Sequence, residues 1–372
     1  MTPLNTDARL KILPPDERVG YAVIGLGDLT SQELYPAFHL SGQSRLAALV
    51  SGDRDKATQQ ARQLGLRDDD VYTYDELERL KDRPDVQAVF IVLPNAQHRE
   101  FTERAAAIGK HVLCEKPLSV SVQDAQAMVD ACQNAGVLLM TAYRIQYTPH
   151  HQAARDLMRD GTLGRVKLIE ATDVQVEPDE GQWRLKRDMA GGGSLLDVGL
   201  YCLNTARYLT GEEPTEVFAY THSTPGDPRF TEVEESVSFV LRFPSGIIAN
   251  SFCSYGASRQ RSVRVMGEDA HLTLDPAFDY TNLRLRVGTE DAVREHLIRE
   301  VDQFALELDH FSHCVLTGET PFTPGEEGLQ DQVIMEAIYR SAREGRPVRL
   351  DRHEGQDVFR GTPPRPTERE RS

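Results

Sequence analysis

Residues 19–145 alternate short, continuously apolar runs with helix-patterned segments, and that alternation leaves few folds open. The apolar runs read GYAVIGLG (20–27), RLAALVSG (45–52), VQAVFIVLP (86–94), HVLCEKP (111–117) and VLLMTAY (137–143). Between them lie TSQELYPAFHL, REFTERAAAIGK and SVQDAQAMVDACQNAG. In the last, Ser121 stands where an N-cap accepts free amide hydrogens, and Gly136 stands where a helix stops. Strands that are apolar along their whole length are buried on both faces. A parallel sheet built from βαβ units, with helices on either side, provides that burial. The spacing therefore predicts a Rossmann-type doubly wound parallel sheet.

From about residue 165 the period changes. VKLIEATDVQVE, EVFAYTHS, ESVSFVLRFPSGIIANSFCSYG, RSVRVMGEDAHLTLD and NLRLRVG alternate apolar with polar residues, and PSG and GED read as hairpin turns. Helical patterns return over 302–316 and 327–344. The reading is an α/β chain with a C-terminal α+β domain on an open, mainly antiparallel sheet. The expected divisions are an N-terminal arm (1–18), a dinucleotide-binding domain (19–145), a substrate and oligomerisation domain (146–355) and a loose tail (356–372). An exposed apolar sheet face is rarely left to water, so a homodimer or homotetramer through that sheet is expected.

Charge narrows the partners. The formal net charge of −16 argues against clustered cations on nucleic-acid phosphates and against docking on an anionic membrane. The five cysteines are scattered and odd in number, which reads as free thiols in a reducing compartment. The first residues carry no apolar signal core, and no apolar run nears the roughly 18 residues of a membrane span. A cytoplasmic location is expected. His310 and His313 are three apart on a helix, but no third ligand completes a site, and no metal is expected. His150 and His151 read as a surface pair at a helix start, and Ser194 as a helix N-cap.

Gly25 and Gly27 follow the first strand directly and precede a helix. The first permits a tight turn and the second lets backbone amides approach a pyrophosphate, which points to a dinucleotide. The third glycine position of that pattern is Thr30. At the end of the second strand, an acid would accept from a ribose 2′-hydroxyl, whereas small polar and cationic residues suit a 2′-phosphate. Ser51, Arg54 and Lys56 favour NADP; Asp53 is the argument for NAD.

Lys116 stands at the mouth of the fourth apolar run, in LCEKPLSV. Strand ends of this kind face the ligand cleft. Pro117 holds the lysine backbone extended. A fixed ammonium there can stabilise developing negative charge or lower the pKa of a neighbouring proton donor. In AGGGSLLDVGLYCLN, Asp197 and Tyr201 are i and i+4 and share a helix face. A phenol, with an ordinary pKa of about 10, becomes an acid–base group beside an ammonium. Asp197 would orient a substrate hydroxyl or hold the lysine. Trp183, the only tryptophan, is a candidate for stacking on cofactor or sugar.

EKPLS, GGGSLLDVGLYCLN and GEEGLQD resemble the Gfo/Idh/MocA oxidoreductases, with the flavour of the glucose–fructose oxidoreductase branch. The resemblance runs from Val19 to Leu350. It implies metal-free hydride transfer between NADP and a sugar. It makes Lys116, Asp197 and Tyr201 the catalytic residues and, with Arg144, the substrate contacts. It adds Pro94, Asn95, His98, Glu115, Arg144, Trp183 and Arg184 to the cofactor contacts, and supports Ser51 and Lys56. Where that branch has Lys-Tyr after the glycines, this chain has Asp28 and Leu29, and the stretch before residue 19 is short. Cofactor exchange is therefore as compatible with the sequence as cofactor retention. Two rival readings stay open: a ketoreductase or dehydrogenase for an inositol or nucleotide-linked sugar, and an NADP-sensing regulatory protein.

Overall fold

The computed structural model describes residues 10–365. Most of the expected arm, residues 1–9, and the end of the expected tail, residues 366–372, lie outside the described residues.

The first half is a six-stranded parallel sheet. Its strands are β1 (Val19–Ile24), β2 (Ser44–Ser51), β3 (Val71–Thr73), β4 (Ala88–Ile91), β5 (His111–Glu115) and β6 (Leu139–Ala142), in the order β3-β2-β1-β4-β5-β6. The order reverses between β1 and β4, which opens a crevice at their C-terminal ends. One face carries α1 (Tyr35–Leu40) and α2 (Arg54–Gln63); the other carries α3 (His98–Ala107) and α4 (Val122–Ala135). The α4 ends behave as the sequence indicates. Ser121 accepts from the Asp124 amide at 3.1 Å, and Gly136 closes the helix at φ 68°.

The second half is built on a nine-stranded sheet. The chain enters it through α5 (Pro149–Arg159) and β7 (Leu168–Val176), then passes α6 (Arg187–Ala190) and α7 (Leu200–Thr210). The remaining strands are β8 (Glu216–His222), β9 (Ser236–Arg242), β10 (Ile248–Ser254), β11 (Gly256–Met266), β12 (His271–Leu274), β13 (Leu285–Gly288) and β14 (Val293–His296). Then come α8 (Gln303–Thr317), α9 (Gly325–Glu344) and β15 (Val348–Arg349). The order is β14-β13-β12-β11-β7-β10-β9-β8-β15, antiparallel except for the β7–β10 pair. The PSG and GED turns join β9 to β10 and β11 to β12. One face packs on α5, α7 and α9, while Leu168, Tyr220 and Phe252 stay exposed on the other.

Three expectations need correction. Residues 303–317 do not stay with the second half: Phe304, Leu308 and Phe311 of α8 pack under Tyr21, Phe90 and Leu113 of the first sheet. The Tyr21 and Ser44 hydroxyls meet Ser312 at 2.9 and 2.7 Å. Residues 356–365 are not loose. Arg360 is buried against Glu327 at 2.7 Å and Asp357 pairs with Arg159 at 2.6 Å, because Glu327 sits in a buried carboxylate cluster that needs cations. His150 and His151 are not a surface pair. Both are buried at the start of α5, where Thr148 caps the helix and contacts the His151 ring.

Candidate active site

A cleft of about 870 Å³ runs from the glycine turn after β1 to the inner face of the large sheet. Gly25 has φ +98°, and a side chain there would meet the Val92 carbonyl oxygen at 2.2 Å. Gly27 has nothing within 4 Å of where a side chain would begin. The first glycine is thus required by the turn, and the second leaves open space before the helix. Thr30, in the third glycine's place, donates its hydroxyl to the Gly25 carbonyl at 2.7 Å and locks the turn. This cradle fits a dinucleotide pyrophosphate. Asp28 is exposed and Leu29 half-buried on the cleft wall.

At the adenosine end, Ser51 and Lys56 line the cleft. Asp53 also lines it, but its carboxylate accepts the Lys56 backbone amide at 2.9 Å and caps α2. Arg54 is turned away: it pairs with Glu76 at 2.6 Å and is not on the cleft wall, a correction to its expected phosphate role. The set that remains, a small hydroxyl and an ammonium, fits a 2′-phosphate.

His98 also departs from expectation. Its ring is fully buried between the carbonyl oxygens of Leu93 (2.9 Å) and Pro117 (3.0 Å), where it ties the β4 loop to the β5 loop. Pro94 and Asn95 do reach the cleft, and Asn95 donates to the Ala190 carbonyl at 2.9 Å, stitching the two halves together.

The catalytic candidates converge. Lys116 leaves the end of β5 before a cis Pro117, and its Nζ donates to Asp197 Oδ1 at 2.8 Å and to the Asp197 carbonyl at 3.1 Å. Asp197 lies in a wide π-helical turn, Leu195–Gly199, that leads into α7. Its other oxygen accepts from the Tyr255 hydroxyl at 2.8 Å and lies 3.3 Å from Arg184 Nε. Burial alone would lift the Asp197 carboxyl, but Lys116 and Arg184 outweigh it and hold it well below the usual range. Burial alone would lower Lys116, but Asp197 and Tyr201 outweigh it and hold the ammonium above its ordinary value. The pair is charged at neutral pH.

Tyr201, one turn on from Asp197, stacks on Phe278 with centroids 5.6 Å apart. The Arg144 Nε donates to its hydroxyl oxygen at 3.0 Å, and Lys116 Nζ lies over its ring, 4.6 Å from the centroid. Arg144 also donates to Gln303 and to the Phe278 carbonyl, so each guanidinium nitrogen already has a protein partner. Trp183 and Arg184 line the cleft stacked on each other at 4.6 Å. Glu115, beside Lys116, is pushed by burial up to about 7, against the pull of Lys116.

Ser194 precedes the turn, but its hydroxyl does not cap it. Glu234 does that work, accepting from the Gly193 and Leu195 amides at 2.9 and 3.0 Å. The sequence reading also missed Tyr255, Asp173 and Arg261. Arg261 pairs with the buried Asp173 at 3.1 Å and lines the cleft. The signal was available: Asp173 falls on the inward parity of β7, after Ile169 and Ala171, where an apolar residue belongs. Among the described residues no group of three or more His, Cys, Asp or Glu side chains could hold a metal. His310 instead accepts from the Phe322 amide at 2.9 Å.

A nucleotide cradle and a lysine–carboxylate–phenol cluster at one strand-end crevice define a nicotinamide-dependent oxidoreductase. The chain belongs to the Gfo/Idh/MocA family. Residues 19–143 match the model for the oxidoreductase family with NAD-binding Rossmann fold, and 151–273 match the GFO/IDH/MocA C-terminal domain. The chain is 32% identical to D-xylose 1-dehydrogenase [NADP(+)] of Haloarcula marismortui over 342 residues, 90% of this chain and 94% of that one. It is 31% identical to D-xylose 1-dehydrogenase (NADP(+)) 2 of Haloferax volcanii, covering 89% and 99%. Aldose-aldose oxidoreductase from Caulobacter crescentus, crystallised with glycerol, superposes with a TM-score of 0.87 at 44% identity, covering 90% of this chain and 100% of that one.

Proposed function

We propose that this protein is an NADP-dependent sugar oxidoreductase acting on an aldose at its anomeric carbon. The observation that carries this reading is the convergence of Lys116, Asp197 and Tyr201 on the cleft that holds the glycine turn, Ser51 and Lys56. The xylose dehydrogenases and the aldose-aldose oxidoreductase support the substrate class and the cofactor.

NADP, when bound, accepts or supplies the hydride. The chain's own residues handle the proton and the charge. Tyr201 takes the proton of the sugar hydroxyl during oxidation and returns it during reduction. Arg144, bonded to the phenol oxygen, stabilises the negative charge that develops there. Lys116 has three N–H donors, and Asp197 takes two, which leaves one for a sugar oxygen. Arg184 and Tyr255 fix Asp197, so the carboxylate holds the ammonium rather than swinging into the cleft. Glu115 and Trp183 form walls around these groups.

The same reading includes self-association through the open sheet face, where Phe252 and Tyr220 are 47% and 65% exposed. A reducing, cytoplasmic setting suits the five free, buried thiols. The acidic net charge supports a small-molecule partner over nucleic acid or membrane. Among the described residues no helix is long and apolar enough to cross a membrane. The deciding experiment is absorbance of reduced nicotinamide with NADP or NAD and a panel of pentoses and hexoses. NADP reduction by at least one aldose is expected; reduction by none overturns the aldose assignment.

A further inference from the structure

A second cleft, of about 770 Å³, lies behind the glycine loop, walled by α6, the end of α9 and β15. Leu196 lines both this cleft and the catalytic one, so the loop 191–196 is a partition a single chain thick between them. A side chain at Gly192 would meet the Tyr339 hydroxyl of α9 at 2.2 Å, so loop and helix touch without slack.

Arg187, Arg340, Arg343 and Arg349 border this second cleft. They come from three separate segments, and Arg340 and Arg343, three apart on α9, share a face. The four side chains are exposed and none makes a hydrogen bond or close ion pair with a described residue, although the Arg187 charge is felt by Glu232. Many other arginines of this acidic chain meet carboxylates, as Arg207 meets Glu213, Glu327 and Asp331. The acids on these walls are largely occupied. Glu234 accepts from Gly193, Leu195 and Tyr339, and Glu336 accepts the Val122 amide at 2.8 Å. Asp351 is the carboxylate that remains. The N-terminal end of α4, at Val120 and Val122, adds positive potential to the same wall.

We propose that this cleft binds a small metabolite bearing two phosphoryl groups, and that its occupancy is transmitted to Asp197 through the glycine loop. Guanidinium forks match phosphoryl oxygens in pairs, and the volume is that of a metabolite site. Arg187 lies on α6, which ends at Gly191. Tyr339 on α9 donates to Glu234, which clamps the turn that carries Asp197. A ligand that draws α6 toward α9 therefore moves both anchors of that turn.

Binding stands on the cleft alone, whereas transmission rests on the sugar-oxidoreductase reading. The test is equilibrium dialysis of pyrophosphate and, separately, a hexose bisphosphate against the full chain saturated with NADP, which fills the nucleotide's own phosphate sites. Saturable binding of at least one probe is expected. Affinity should fall by about tenfold or more in Arg340→Ser/Arg343→Ser, as lost charged hydrogen bonds imply, and stay unchanged in Arg165→Ser, an exposed arginine on neither cleft wall. No saturable binding of either probe, or equal binding by the double variant, overturns the site. Melting temperature and NADP affinity of the double variant report that it is folded. Aldose turnover should change with the bound probe in the parent chain and not in the double variant; binding without any change in turnover overturns transmission. If no aldose is turned over, dialysis still decides the site.

Discussion

The Lys116 ammonium sits over the face of the Tyr201 ring, 4.6 Å from its centroid, and not at its hydroxyl. The cation at the phenol oxygen is Arg144. This divides two tasks that the sequence assigned to lysine alone. Arg144 bears on the proton of the phenol, while Lys116, held by Asp197, is left to meet the substrate oxygen.

Lys116→Ala and Tyr201→Phe should each lower kcat by about a hundredfold or more, the usual range for a positioned acid–base group. Steady-state kinetics on an aldose, with NADP binding measured separately by fluorescence, checks this. Near-normal kcat in both variants would remove them from the mechanism.

Arg144→Met should leave the phenol without its charged donor and lower kcat by about tenfold or more, as loss of a charge-assisted hydrogen bond implies. A kcat for Arg144→Met that matches the parent's, with NADP affinity also unchanged, would show that Arg144 acts only as a buried support.

Lys56→Ala should weaken NADP by about tenfold and leave NAD unchanged, since only NADP brings a phosphate to that ammonium. Arg54→Ala should change neither, because Arg54 is engaged with Glu76. Titration of both dinucleotides into both variants distinguishes these roles. Equal loss in the two variants would contradict the geometry at the end of β2.

Glu115→Gln should alter how stability depends on pH. Burial lifts the folded-state Glu115 carboxyl from 4.5 to about 7. Its contribution is fully present below the ordinary value and is lost as pH rises through about 7. The parent chain should therefore lose stability relative to the variant between those two values, with no further change above them. Urea denaturation of both proteins across pH 5 to 8 measures the difference, and a flat difference would refute the shift.

Arg360→Ala should destabilise the fold by about 3 kcal/mol, because it strips a cation from the buried Glu327. Arg365→Ala, on a half-exposed pair with Glu319, should cost little by comparison. Denaturation midpoints of the two variants check the contrast, and equal midpoints would place the segment around Arg360 outside the cooperative fold.

Much of this was legible before any coordinates. Continuous apolar runs specify a parallel sheet, and two glycines after the first of them specify its ligand end. The spacing of Asp197 and Tyr201 placed them on one face, and it did so because helix geometry is local. What stayed hidden was set by partners far away in the chain. Nothing around Arg144 shows that its guanidinium ends between Tyr201, Gln303 and the Phe278 carbonyl. Tyr255 sits at the end of a half-polar strand, and only the fold reveals Asp197 opposite it. Arg54 was misread because Glu76, its partner, arrives from beyond the next strand. His150 and His151 are polar at a helix start, a pattern that fits a surface equally well until Phe278 is laid against it.

The position of α8 bears on how the molecule is made. A nascent chain that has emerged only as far as β6 has α3 and α4 over one face of its nucleotide sheet but only α1 and α2 on the other, where Phe90 and Leu113 still lack α8. That incomplete face waits for residues 303–317, which leave the ribosome after all of the large sheet except β15 has been synthesised. The half that emerges first is therefore completed late, and a fragment cut at the boundary between the two matched family segments would carry an unshielded greasy floor instead of a finished nucleotide module.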